Sequence, residues 1–272
     1  MNFRTRPVSA FCGFILSTFL SVASYGQSAQ EIVAKHIEAL GGKERLQSIN
    51  SVFIEGVAIM NNGTEIDTKL WKVYDRLYRQ EISFGVGSVV TIVTPSRGWV
   101  ASPHSNGEFK SLPYAQLKAL QPQIDPAGPL ADYADKGCRV DLVGRDTVAG
   151  NPCYCIRLTC PMGQSVIYSI DAKTYYILRE TRKGGMMADS GNRIGAGAAS
   201  GAGAAGSIAG GVGGEAAAGG GEFYIEFSDY KKTPDGYVFP YTVVTGGAGA
   251  KMNVERVEVN RRVDVDGLSR PK

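Results

Sequence analysis

Apolar and polar residues alternate with a period of two along most of this chain, and the alternation predicts strand after strand between Ser51 and Asn260. The clearest instance sets Phe223, Ile225 and Phe227 on one face and Tyr224, Glu226 and Ser228 on the other. Similar runs cover residues 52–60, 64–74, 77–84, 88–94 and 98–101, then 139–144, 153–159, 165–170, 175–182, 237–244 and 252–260. Short turns separate them. Asn62-Gly63 is a tight-hairpin pair, and Pro234-Asp235-Gly236 joins a preset φ to a residue that accepts a positive one.

The period changes twice. Ser28-Ala29-Gln30-Glu31 is a capping box, after which Ile32, Val33, Ile37 and Leu40 share one helical face until Gly41-Gly42 ends the helix. Residues 43–49 predict a second short helix. Further on, Ser111 is expected to cap a helix over 113–120 that Pro122 stops, and the turn-rich residues 125–130 lead back to the strands. So few helices exclude a parallel sheet. A meander of about eleven antiparallel strands must curl, and a curled sheet has a concave face. The 52–60 run is apolar on both sides, with Val52, Ile54 and Met60 on one and Phe53, Val57 and Ile59 on the other. That pattern predicts helices over one face, and a ligand or further packing over the other.

Residues 1–26 read as an export signal: Arg4 and Arg6, an apolar stretch from Phe11 to Val22, and small residues near Ala23-Ser24-Tyr25-Gly26. The apolar stretch is too short to span a bilayer by itself. Cys12 stands too early for a lipid-modified cysteine after cleavage. Residues 27–272 are then one domain, interrupted by residues 184–221, where 15 of 38 residues are glycine and 11 alanine. Such a composition cannot offset its ordering entropy, so a disordered insertion in a hairpin turn is expected, either tolerated or used as an arm or lid. Of the net charge of +3, Arg4 and Arg6 belong to the leader, which leaves no basic patch for nucleic acid.

Export favours disulfides among Cys138, Cys153, Cys155 and Cys160. Pairing 138–144 with 153–160 sets Cys138 opposite Cys160, the expected bridge, and leaves Cys153 and Cys155 as free thiols. A metal site would need all four sulfurs to converge, and the placement of the four on opposite faces argues against one. The two histidines, His36 and His104, have no nucleophile motif near them. The glycine-rich stretch lacks the Gly-Lys-Ser/Thr end of a phosphate loop, so no cofactor is implied. A carboxylate pair that meets in space would make a hydrolase, a minor reading beside a non-enzymatic one.

Several stretches together resemble the periplasmic outer-membrane lipoprotein-sorting carriers (LolA-like). They are Glu31-Ile32-Val33-Ala34-Lys35-His36-Ile37-Glu38-Ala39-Leu40-Gly41-Gly42-Lys43-Glu44-Arg45-Leu46, Arg97-Gly98-Trp99-Val100, Gly128-Pro129-Leu130-Ala131-Asp132-Tyr133, Val140-Asp141-Leu142-Val143-Gly144, Tyr168-Ser169-Ile170-Asp171-Ala172-Lys173-Thr174-Tyr175, Phe227-Ser228-Asp229-Tyr230 and Gly236-Tyr237-Val238-Phe239-Pro240. The resemblance implies a mainly β, unclosed antiparallel barrel with helices over its hydrophobic concave face. It also implies lipid or lipoprotein acyl chains as cargo, with inner- and outer-membrane transport proteins as partners. A relative on the same fold can instead be an envelope sensor or interaction module. The family's cavity arginine does not align to a particular arginine here. The candidate acyl-chain liners are therefore chosen from apolar strand residues: Ile54, Trp71, Tyr78, Ile82, Val90, Ile92, Trp99, Phe223, Ile225 and Phe227. A monomer in the periplasm is expected.

Overall fold

The alternating runs pair into one antiparallel sheet in a computed structural model that describes residues 27–85, 87–161, 165–183, 222–246 and 250–271. Residues 1–26, where an export signal is expected, and the Gly/Ala-rich 184–221 lie outside the described residues. The first half supplies β1 (Ser51–Ile59), β2 (Glu65–Val73), β3 (Leu77–Phe84), β4 (Gly87–Val93), β5 (Gly98–Ala101) and β6 (Lys110–Ser111). The second supplies β7 (Arg139–Val148), β8 (Asn151–Thr159), β9 (Ser165–Asp171), β10 (Ile177–Lys183), β11 (Glu222–Lys232), β12 (Val238–Thr245) and β13 (Lys251–Val259). Their spatial order is β6-β5-β4-β3-β2-β1-β13-β12-β11-β10-β9-β8-β7.

Two meanders thus run outward from the central β1–β13 pair, and β6 and β7 are left as edges that do not join. The barrel is unclosed. β10 and β11, which flank 184–221, pair directly with each other, Lys183 opposite Glu222. Ser111 does not cap a helix: it ends β6, opposite Trp99, and α3 (Tyr114–Leu120) starts after Pro113. Pro113 stands at the cap position, and no side chain caps this helix.

Curling comes from irregularities as well as twist. The β1–β13 register slips between Glu55 and Gly56, and that of β7–β8 between Leu142 and Gly144. Gly56 sits so close to β13 that an added Cβ would lie 2.3 Å from the Asn253 carbonyl oxygen, which only glycine avoids.

The concave face holds the main core. Over it lie α1 (Ala29–Ala39), with Ile32 and Val33 fully buried, and α2 (Lys43–Gln47), which buries Leu46. The convex face is covered too. Phe53 packs on Trp71 at 5.1 Å, and Arg256 and Arg261 stand over the Phe53 ring at 5.0 and 5.2 Å. The final short helix, α4 (Val265–Leu268), is tied to this face where Arg79 Nη1 donates to the Leu268 carbonyl at 2.8 Å. Two covered faces explain why β1 does not alternate cleanly.

The Arg139–Thr159 pairing extends one step outward to Cys138 and Cys160, which are joined by a disulfide. Cys153 is buried and Cys155 half-buried, both as free thiols.

Candidate functional site

Strand register decides which side chains face the hollow. One row of pairs runs Val52, Lys72, Tyr78 and Val93; a second runs Ile54, Leu70, Gln80 and Thr91. On the opposite wall, Met252 pairs with Val243 and Val243 with Phe227, while Ile225 pairs with Glu180 and Glu180 with Tyr168. The apolar members of these rows belong to the core that α1 and α2 cover.

Of the ten candidate liners, Ile54, Tyr78, Ile82, Ile225 and Phe227 point into the hollow, and all five are buried. Four do not. Trp71 lies opposite Phe53 and Arg79, Ile92 opposite Arg79 and Trp99, and Val90 opposite Glu81. Trp71, Val90, Ile92 and Trp99 therefore sit on the convex face, one strand position out of phase with the hollow. Apolar character alone could not separate the faces, because the convex side buries apolar residues of its own, Phe53 and Ile92 among them. The backbone of Phe223 lies on β11 opposite Arg182.

Between the free edges β6 and β7 the chain crosses through α3, a 3-10 turn over Gln121–Ile124, and turns up to Cys138. This crossing segment closes the hollow. The 3-10 turn packs on β2 and β3, burying Gln123 and Ile124. Lys136 holds the following turn together: its Nζ pairs with Asp125 and donates to the carbonyls of Gly128 at 2.9 Å and Ala131 at 2.5 Å. From the other side, α2 meets the segment where Gln47 and Lys43 reach the Asp132 carboxylate, at 3.1 and 3.4 Å.

α1 is anchored by His36, whose Nδ1 donates to the Tyr175 carbonyl at 2.8 Å. Burial pushes its pKa down to about 4, against a smaller upward effect of that hydrogen bond. It is a satisfied structural histidine. Beneath α1, His36, Ile37, Leu40, Ala127, Leu130 and Tyr168 enclose a space of about 10 Å³, room for about one water. Buried apolar side chains of both walls, α1 and the crossing segment pack together over the rest of the hollow.

The hollow also holds a polar centre that the apolar strand pattern does not predict. Lys72 on β2, Glu180 on β10 and Gln123 on the crossing segment are all about 1% exposed. Lys72 Nζ donates to Gln123 Oε1 at 3.3 Å, a link from the barrel wall to its cover. Burial pushes the lysine pKa down to about 8, although Asp125 and Glu180 pull it back up. Glu180 Oε1 accepts from Arg182 Nε at 2.7 Å, and its Oε2 is buried with no hydrogen-bond partner among the described residues. Burial raises the Glu180 pKa, opposed by Arg182 and Lys72. The signal for Lys72 is present in the sequence, since it stands in phase with Ile66 and Leu70 on an otherwise apolar strand face. Glu180 is hidden, because the β9–β10 register slips between Ile177 and Arg179 and breaks the phase.

Thr68, on the same face of β2, is also fully buried, and its hydroxyl lacks a partner among the described residues. Thr68→Val keeps the shape and removes the unpaired group. It should stabilise the fold by about 1 kcal/mol, a rise of a few degrees in Tm by calorimetry. An unchanged or lower Tm would mean that the hydroxyl is bonded in solution.

The chain matches no family model and no curated protein. Among solved structures it is similar to a LolA superfamily protein from Nitrosomonas europaea, 12% identical over 90% of this chain and 99% of that one, with a TM-score of 0.50. It is similar also to a DUF1329 family protein from Desulfovibrio piger, 12% identical over 90% and 98%, with a TM-score of 0.52. The fold is LolA-like, an open β-barrel with a helical cover. Among the described residues, no helix is long and apolar enough to cross a membrane.

Proposed function

We propose that this protein is a non-enzymatic periplasmic carrier that takes the acyl chains of a lipid or lipoprotein into its hollow. Residues 1–26 are read as the leader that exports it, and residues 184–221 as an insertion in the β10–β11 turn. The observation that carries the reading is the gap between β6 and β7. The sheet stops short of closure, and a short-helix-and-turn segment, rather than strands, crosses the opening over an apolar wall. Such a segment can lift without breaking the β ladder. Each methylene then buried contributes about 0.8 kcal/mol, so a tail of ordinary length offsets the apolar burial that the lifted cover gives up.

The test is to purify residues 27–272 from the native envelope and analyse the extracted lipids by mass spectrometry. Uptake of the neutral fluorophore N-phenyl-1-naphthylamine is measured in parallel. Stoichiometric acylated cargo, or saturable uptake that the cargo reverses, supports the carrier. An empty protein that takes up nothing removes it.

The second reading, an interaction module, is favoured by the β7 edge. Leu142 and Val143 are exposed there on a ten-residue strand with one side unpaired. It predicts a protein retrieved from the envelope in near-stoichiometric amount, with no lipid inside.

A further inference from the structure

A container for acyl tails needs no charge at its centre, yet this hollow buries Lys72 and Glu180 on opposite walls, β2 and β10. Lys72 bonds Gln123 and Glu180 pairs with Arg182, and buried charges are weak sources of stability that apolar residues of similar volume would replace without loss to the fold. The arrangement is also incomplete, since Glu180 Oε2 is buried without a donor among the described residues. What the cluster accepts is visible in the closed state. The group that meets Lys72 is the carboxamide of Gln123, a neutral head brought in on the crossing segment.

Opening the hollow must withdraw Gln123 with the rest of the 3-10 turn, leaving Lys72 Nζ without that acceptor. Two buried groups then need opposite partners: an acceptor for Lys72 and a donor for Glu180. A carboxylate head offers acceptors alone and meets the Glu180 charge. An ammonium head offers donors alone and meets Lys72 and Arg182. A carboxamide or hydroxyl offers both at no net charge, and leaving either buried group unpaired is costly.

We propose that the hollow reads the head of its amphiphile, seating a neutral carboxamide or hydroxyl group next to the tail between Lys72 and Glu180, in place of the Gln123 carboxamide. This rests on the carrier reading above and names the chemistry of its ligand. A site built to hydrogen-bond both ways discriminates strongly against heads that satisfy one side.

The test is displacement of N-phenyl-1-naphthylamine from residues 27–272 by three probes with matched twelve-carbon tails, used below their micelle concentrations. N-lauroylethanolamine carries a neutral amide and hydroxyl, laurate a carboxylate, and dodecylammonium a cation. The neutral probe should displace at least about tenfold better than either charged one. In Glu180→Gln the disadvantage of laurate should shrink to about threefold or less, because the new side chain no longer repels it and can donate. Should that variant not fold, Lys72→Gln gives the opposite check: with Glu180 kept and its cationic neighbour gone, laurate should fall further behind. Equal displacement by all three probes, a preference for laurate, or a laurate disadvantage of unchanged size in a folded variant overturns the head site and leaves the carrier standing. If the fluorophore is not taken up at all, the carrier reading fails and the head site with it.

Discussion

Loss of the Cys138–Cys160 disulfide is expected to lower the unfolding free energy by about 3 kcal/mol, the cost in chain entropy of releasing a loop whose ends are 22 residues apart. That is a large share of the roughly 5–15 kcal/mol typical of a folded domain. Its position adds a local effect. The bond ties the open end of the β7–β8 hairpin, where the crossing segment arrives at the edge strand. Without it, the start of β7 keeps its ladder to β8 alone, and its amides should exchange with solvent well before those of β1. Urea unfolding of residues 27–272 against the Cys138→Ser/Cys160→Ser variant measures the difference as a lower midpoint. Alkylation in denaturant without reductant checks the premise. Two modified cysteines, Cys153 and Cys155, fit the bridge, whereas four modified cysteines, or coincident urea curves, would dismiss it.

The architecture was legible because it depends on local signals. The period of two, the Asn62-Gly63 turn and the Ser28 capping box each specify their own element, and a long meander with few helices has few ways to fold. The facing of the candidate liners is legible only in part. Ile54, Tyr78, Ile82, Ile225 and Phe227 face the hollow, where burial on a strand selects apolar residues. Trp71, Val90, Ile92 and Trp99 face the other side, because both faces of this sheet are covered and phase along one strand cannot say which cover is which. The facing depends on pairs far apart in sequence, such as Val52 with Val259 and Ile54 with Val257, and on the slip at Gly56. The buried polar centre was harder still. Lys72, Gln123 and Glu180 come from three separate segments, and nothing local to any of them shows that they converge.

Acidification should weaken this fold through His36. The imidazole is buried under α1 with its pKa pushed down to about 4, whereas an unfolded histidine titrates near 6.5. Below pH 6.5 the unfolded chain therefore binds a proton that the native state refuses, and stability falls as pH drops. The contribution is fully present above 6.5, is reduced by about 2 kcal/mol at pH 5, and is lower by about 3 kcal/mol once the pH has fallen through the folded value. Other groups that titrate in this range, among them Glu180 with its pKa raised by burial, are shared with a variant that lacks only the imidazole, so the difference between the two proteins isolates the histidine. His36→Gln supplies the control: it keeps a neutral donor for the Tyr175 carbonyl and has no proton to gain. The wild-type unfolding free energy should drop by about 2 kcal/mol between pH 6.5 and 5 relative to the variant's, so that the two curves converge or cross on acidification. Parallel curves would show that His36 is protonated in the native state or does not dock as described. Because the same side chain pins α1 to the β9–β10 turn and walls the space beneath the cover, the slope also measures how firmly the hollow is held shut. A cover that loosens with falling pH should admit N-phenyl-1-naphthylamine faster at pH 5 than at pH 7.5, and His36→Gln should abolish that difference.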